Sequence, residues 1–167
     1  MGQYWTWQCS NGEEFTSFGF GGGLKYTEQL FRHGMHEALM LLMTDTSSLG
    51  HGGGDPKINN APPTLRDLIR PIVGRWYGKK VMFVGDYSSI QKSHKEYTDI
   101  TSEVVIAVIT LLALDIINQV GFDTDEKITT IIDVLYTRME NVSKHKKWEC
   151  NYEANTVIDA IRKSKTA

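Results

Sequence analysis

The stretch that decides the fold is Val104-Val105-Ile106-Ala107-Val108-Ile109-Thr110-Leu111-Leu112-Ala113-Leu114-Asp115-Ile116-Ile117. It is the longest apolar run in the chain, interrupted only by Thr110 and Asp115 and followed by Asn118 and Gln119. A membrane-spanning helix needs about 20 predominantly apolar residues, so this run reads as too short and too interrupted for one. It reads instead as a central helix buried around most of its circumference. Val104, Val108, Leu111, Leu112 and Ile116 are its expected core residues. A helix apolar nearly all round has more surface than one small sheet covers. Part of it, or the apolar run at 128–139, is therefore expected to meet a second chain.

Working outward, Asp99 or Thr101 supplies an N-terminal cap, and Gly121 closes the helix at about Val120. Asp123 and Glu126 open another helix carrying Ile128, Ile131, Ile132, Leu135 and Met139. Tyr152 to Lys163 reads as a terminal helix with Val157, Ile158 and Ile161 as its apolar face. Upstream, Leu24, Phe31, Met35, Ala38 and Leu42 recur at helical spacing, predicting an amphipathic helix from Leu24 to Met43. Thr64-Leu65-Arg66-Asp67 has the pattern of a capping box opening a short helix, which Pro71 stops.

The strands come from turn chemistry. Ser10-Asn11-Gly12 separates two aromatic runs, 3–9 and 14–20. Asn-Gly is a strong hairpin signal because both residues tolerate positive φ. Tyr4, Trp5, Trp7, Phe15, Phe18 and Phe20 are the side chains expected to pack on this hairpin. Ile72 to Trp76 and Val81 to Val84 flank Tyr77-Gly78-Lys79-Lys80 and read as a second hairpin, ended by Asp86. The expected fold is α+β over residues 1–167 as a single domain. Two β-hairpins form a small, mostly antiparallel sheet packed against two long helices, with a helical C-terminal third.

The chain has 167 residues, one domain's length. Its formal charge is -2, from 18 Lys and Arg against 20 Asp and Glu, so no global field holds nucleic acid or an anionic membrane. Hydrophobic residues at 41% and charged residues at 23% belong to a folded chain, not a disordered one. The start MGQYWTWQCS carries no basic segment followed by an apolar run, so no secretory signal is expected. Cys9 and Cys150 form neither a disulfide framework nor a zinc motif, and read as reduced, inert thiols of an intracellular protein. In that setting Asn141-Val142-Ser143 is a chance glycosylation pattern. Gly2 satisfies only the loose minimum for myristoylation.

Few motifs carry chemistry. Gly19 to Gly23 precedes a predicted helix, where unpaired amides favour an anion, and Lys25 adds a donor. No Gly-Lys-Ser/Thr follows, so this is not a P-loop, and a plain hairpin-to-helix turn is favoured over a site at Gly21, Gly22 and Gly23. His51-Gly52-Gly53-Gly54 copies the oxyanion tetrad of some esterases, but no Gly-x-Ser-x-Gly elbow exists to use it. The glycines there more simply allow close backbone approach, with Asp55 capping a turn before Pro56. His33 and His36, at i, i+3 on one helix, can share a metal if His51 or Asp55 supplies a third ligand. The spacing is not that of the zincins, and two partly exposed histidines are the favoured reading, so no metal site is expected. Arg75 and Asp86, on opposing predicted strands, form a candidate pair. Lys144-His145-Lys146-Lys147-Trp148 is too short a basic run to indicate nucleic acid.

Gly52-Gly53-Gly54-Asp55, Gly74-Arg75-Trp76-Tyr77-Gly78, Val84-Gly85-Asp86-Tyr87 and Tyr97-Thr98-Asp99-Ile100-Thr101-Ser102-Glu103 together resemble a family of small proteins of microbes and large DNA viruses. That family has a GGGD loop and a GRWxGxxVxxVGDY-like hairpin. The resemblance covers about residues 20–105 and implies no activity, so it carries over no catalytic residue. Many such proteins have an acidic residue after the Trp-x-Gly turn, where this chain has Lys79.

The functional expectation is therefore a non-enzymatic interaction or accessory protein, of the microbial or viral setting the resemblance implies. It would act through a protein partner or self-association and require no cofactor. The alternative is a small ligand-binding protein or enzyme whose site combines Gly21, Gly22, Gly23, Lys25, His51, Asp55, Arg75 and Asp86.

Overall fold

A computed structural model of the chain describes residues 5–9, 13–16, 35–48, 58–85, 97–142 and 151–165. Four strands and five α-helices occur among them. The strands are β1 (Trp5–Cys9), β2 (Glu14–Thr16), β3 (Val81–Gly85) and β4 (Thr98–Asp99). The helices are α1 (Met35–Met43), α2 (Pro63–Ile69), α3 (Thr101–Val120), α4 (Asp125–Val142) and α5 (Asn151–Ser164). The fold is α+β, with a small mixed sheet and a helical C-terminal part.

The sheet order is β3-β1-β2-β4. β1 and β2 pair antiparallel as expected, with Trp7 opposite Thr16 and Cys9 opposite Glu14; the expected Asn11-Gly12 turn lies outside the described residues. The second hairpin does not form. Antiparallel pairing of β3 goes to β1, with Trp5 opposite Gly85 and Cys9 opposite Val81. Residues 70–79 are consecutive turns: Ile72 and Val73 N–H donate to the Ile69 carbonyl, Arg75 to Ile72, and Tyr77 to Gly74. The reason lies in the spacing of the apolar residues. Ile69, Ile72 and Trp76 recur at helical intervals and are all buried, whereas a strand needs alternation. Gly74 and Gly78, at φ +72° and +69°, let this turn chain reverse. A parallel bridge between β2 and β4, Glu14 to Thr98 and Phe15 to Asp99, completes the sheet and was not visible in the turn pattern.

The decisive stretch does form the central helix. α3 packs against α1, α2, α4, α5 and β2. Val104, Val108 and Ile116 are buried as expected, together with Val105, Ala107, Ile109, Ala113 and Leu114. Leu111 and Leu112 are only partly buried against the core, contrary to expectation. The missing cover on α3 thus comes largely from helices of the same chain. Thr110 is buried without penalty because its hydroxyl donates to the Ile106 carbonyl. By length and composition α3 is also apolar enough to cross a membrane, and half of that window is buried inside the chain.

The helix ends follow local chemistry. Asp99 Oδ1 accepts the Thr101 N–H at 2.9 Å. Gly121, at φ +84°, closes α3 and donates its N–H to the Ile117 carbonyl. The cap of α4 is Thr124 Oγ1, which accepts the Lys127 N–H, while Asp123 pairs instead with Lys127 Nζ. The capping box at α2 is absent. Pro63 occupies the first turn, which needs no N–H there. Thr64 donates its hydroxyl to the Ala160 carbonyl of α5 and meets Ser164. Of the Leu24–Met43 helix, residues 35–43 are helical and residues 24–34 lie outside the described residues. Tyr4, Phe18 and Phe20 also lie outside them. Trp5 stacks on Phe83 at 5.0 Å and Trp7 meets the same ring at 4.6 Å. Cys9 is a buried free thiol, and through it, Trp7 and Val81 the sheet joins the helical core.

Candidate functional site

Of the residues proposed from sequence, only Arg75 is among the described residues. Gly21, Gly22, Gly23, Lys25, His51, Asp55 and Asp86 lie outside them, as do His33 and the basic run at 144–148. Arg75 sits where the 70–79 turns pass β2 and the start of α3. Its Nε donates to Glu14 Oε1 at 2.9 Å, and a terminal nitrogen reaches the same oxygen at 2.7 Å. The other terminal nitrogen donates to Glu103 at 2.5 Å. Trp76 Nε1 donates to the second oxygen of Glu14 at 2.9 Å.

Three segments, β2, the 70–79 turns and α3, thus meet at the Arg75 guanidinium, and Trp76 shares its Glu14 partner. The neighbouring residues Arg75 and Trp76 both address Glu14 because one follows the other through a turn, not along a strand, where side chains would point to opposite faces. Burial of Glu14 alone would raise its pKa. Hydrogen bonds from Arg75 and Trp76, with the charges of Arg75 and Lys79, outweigh burial and hold the carboxyl below its usual range. Conversely the Glu14 bond pushes the Arg75 guanidinium up, with Glu103 adding to it. Glu14 is therefore an ionised acceptor whose oxygens are already engaged, a tie between elements and a poor general base. Sequence reasoning missed it. The available signal was an acid two residues beyond the Asn-Gly turn, with an Arg-Trp pair elsewhere to receive it.

The second feature is apolar and exposed. Gly74 and Trp76 N–H groups donate to the Leu41 and Leu42 carbonyls, docking the turns on the C-terminal end of α1. Beside that joint Met40 is 69% exposed, Met43 45% and Tyr77 55%. Met40 and Met43, three apart, are neighbours on the helix surface. The Tyr77 hydroxyl donates to Asp45, just past the helix end.

The third concerns strand ends. β2 finishes at Thr16 and β3 at Gly85, and both face the N-terminal half of β1, on either side of it. In sequence the stretch that holds Gly21 follows Thr16 and Asp86 follows Gly85, and both lie outside the described residues. Among the described residues no group of three or more His, Cys, Asp or Glu is placed to hold a metal ion. Comparison with protein-family models, curated proteins and solved structures finds no match.

Proposed function

We propose that the protein acts as an interaction or accessory protein through contact with another protein chain, and that the contact it makes on its own is with a second copy of itself. The observation that carries this reading is the exposure of Met40, Met43 and Tyr77 around the joint between α1 and the 70–79 turns. Unbranched methionines adapt to a facing surface. Tyrosine contributes a large apolar ring and keeps its hydroxyl wet. An identical apolar patch covers such a surface across a two-fold axis without any special partner chemistry. The partly buried Leu111 and Leu112 of α3 add apolar surface of the kind an interface uses. Sedimentation equilibrium over a micromolar concentration range tests it. The chain should associate, and Met40→Glu with Met43→Glu should leave it monomeric without loss of helicity.

A small-ligand site is the second reading, favoured by the ends of β2 and β3, which flank β1 on its two sides. Its described member, Arg75, is spent on Glu14 and Glu103, which weighs against Arg75 as a free ligand donor.

A further inference from the structure

The sheet holds an unresolved piece of polar accounting. Trp7, Thr16 and Phe83 lie in one row across β2, β1 and β3. Residues directly opposite each other share a sheet face, with Cβ atoms about 4.5–5.5 Å apart. Trp7 packs on the helical core, so this row lies on the face toward the helices. Thr16 is fully buried. Among the described residues, Trp7 Nε1 and Thr16 Oγ1 are both buried side-chain atoms without a hydrogen-bond partner. Buried polar groups are overwhelmingly paired, because leaving one unpaired forfeits its hydration. Two such atoms on directly paired residues point to a common cause. The indole N–H only donates, and the threonine hydroxyl donates or accepts.

We propose that Trp7 and Thr16 form an interior binding point for a single acceptor oxygen between the sheet and the helices. The oxygen belongs either to an internal water or to a small molecule presenting a carbonyl, carboxyl or hydroxyl group. Both polar atoms are buried, and on its β3 side the Trp7 ring meets Phe83, with ring centroids 4.6 Å apart. This excludes bulk solvent and makes one well-placed oxygen worth more than it would be in water. The site is independent of the exposed methionine patch.

The test is Thr16→Val, which keeps the shape and β-branching of the side chain and removes the hydroxyl. The expected result is a lower urea midpoint for Thr16→Val than for the wild type, with a shift of the Trp7 indole resonance in a ¹⁵N spectrum. Trp7→Phe assigns that resonance. Thr16→Ser retains the donor, and should leave the indole resonance near its wild-type position even if Thr16→Val folds poorly. A higher urea midpoint for Thr16→Val would overturn the proposal, since removing an unpaired buried hydroxyl stabilises. An unmoved indole resonance in Thr16→Val would also overturn it. Crystallographic density separates the sources: an isolated peak is water and an extended one is a small molecule. An oxygen of the chain itself in that position would overturn the proposal.

Discussion

Replacing Glu14 with alanine strips the tie between β2 and the 70–79 turns and leaves the Arg75–Glu103 contact to α3. The carboxylate accepts two contacts from Arg75 and one from Trp76. After the substitution the Trp76 indole N–H, on a side chain 1% exposed, has no acceptor. An orphaned buried donor costs about 1–3 kcal/mol. Arg75 keeps Glu103, so its charge is not stranded. The Glu14–Arg75 pair lies between the surface regime of about 0.2–1 kcal/mol and the buried regime of about 3–5 kcal/mol, because its side chains are 14% and 24% exposed. Together these give a loss of about 2–4 kcal/mol, a large share of a domain stability of about 5–15 kcal/mol. Glu14→Gln keeps one acceptor oxygen and should lose about half as much. Urea denaturation followed by tryptophan fluorescence reads both, since Trp76 reports directly on the lost bond. The pH dependence has a definite sign. Glu14's folded pKa is depressed, so its contribution is fully present above the ordinary carboxylate range and is lost as pH falls through the depressed value. The wild type should therefore lose stability on acidification more steeply than Glu14→Gln. A change below about 1 kcal/mol in Glu14→Ala, or parallel pH profiles, would refute the tie as a stabilising element.

Further outcomes follow from the packing. Ile109→Ala, at a fully buried position of α3, should cost about 2–5 kcal/mol by urea denaturation, and Leu112→Ala, half-buried, about 1–2 kcal/mol. Equal losses would mean that Leu112 is covered in solution. Gly74→Ala should destabilise more than Gly78→Ala. Both have positive φ, but a Cβ at Gly74 meets the Thr44 carbonyl at 2.9 Å and Thr46 Cγ2 at 2.8 Å, while nothing lies within 4 Å at Gly78. Thermal melts should show about 1–2 kcal/mol for Gly78, and a visibly larger loss for Gly74.

The legible parts of the sequence were those where one local rule decides. The Asn-Gly signal gave the antiparallel pairing of β1 with β2. The apolar run 104–117 gave α3 and its end at Gly121, and the Ile128–Met139 and Val157–Ile161 spacings gave α4 and α5. Residues 72–76 were misread because Ile72, Val73 and Trp76 suit a strand by composition. Their intervals are helical, and the Leu41 and Leu42 carbonyls of a distant helix capture their amides. Thr64 was misread as a cap for a similar reason, its hydroxyl being claimed by α5, about a hundred residues away. Leu111 and Leu112 were read as core because a run apolar on every side does not reveal which side its neighbours leave open. Of the candidate site only Arg75 can be placed, and its partners, Glu14 and Glu103, lie 61 and 28 residues away. Pairings at such separations leave no periodic trace.

Native mass spectrometry of the purified chain, across concentrations and beside Met40→Glu with Met43→Glu, tests the interaction reading most directly. It should show a species of twice the chain mass that grows with concentration and is missing from the variant. A single chain mass at every concentration, or association that the variant leaves intact, would contradict it.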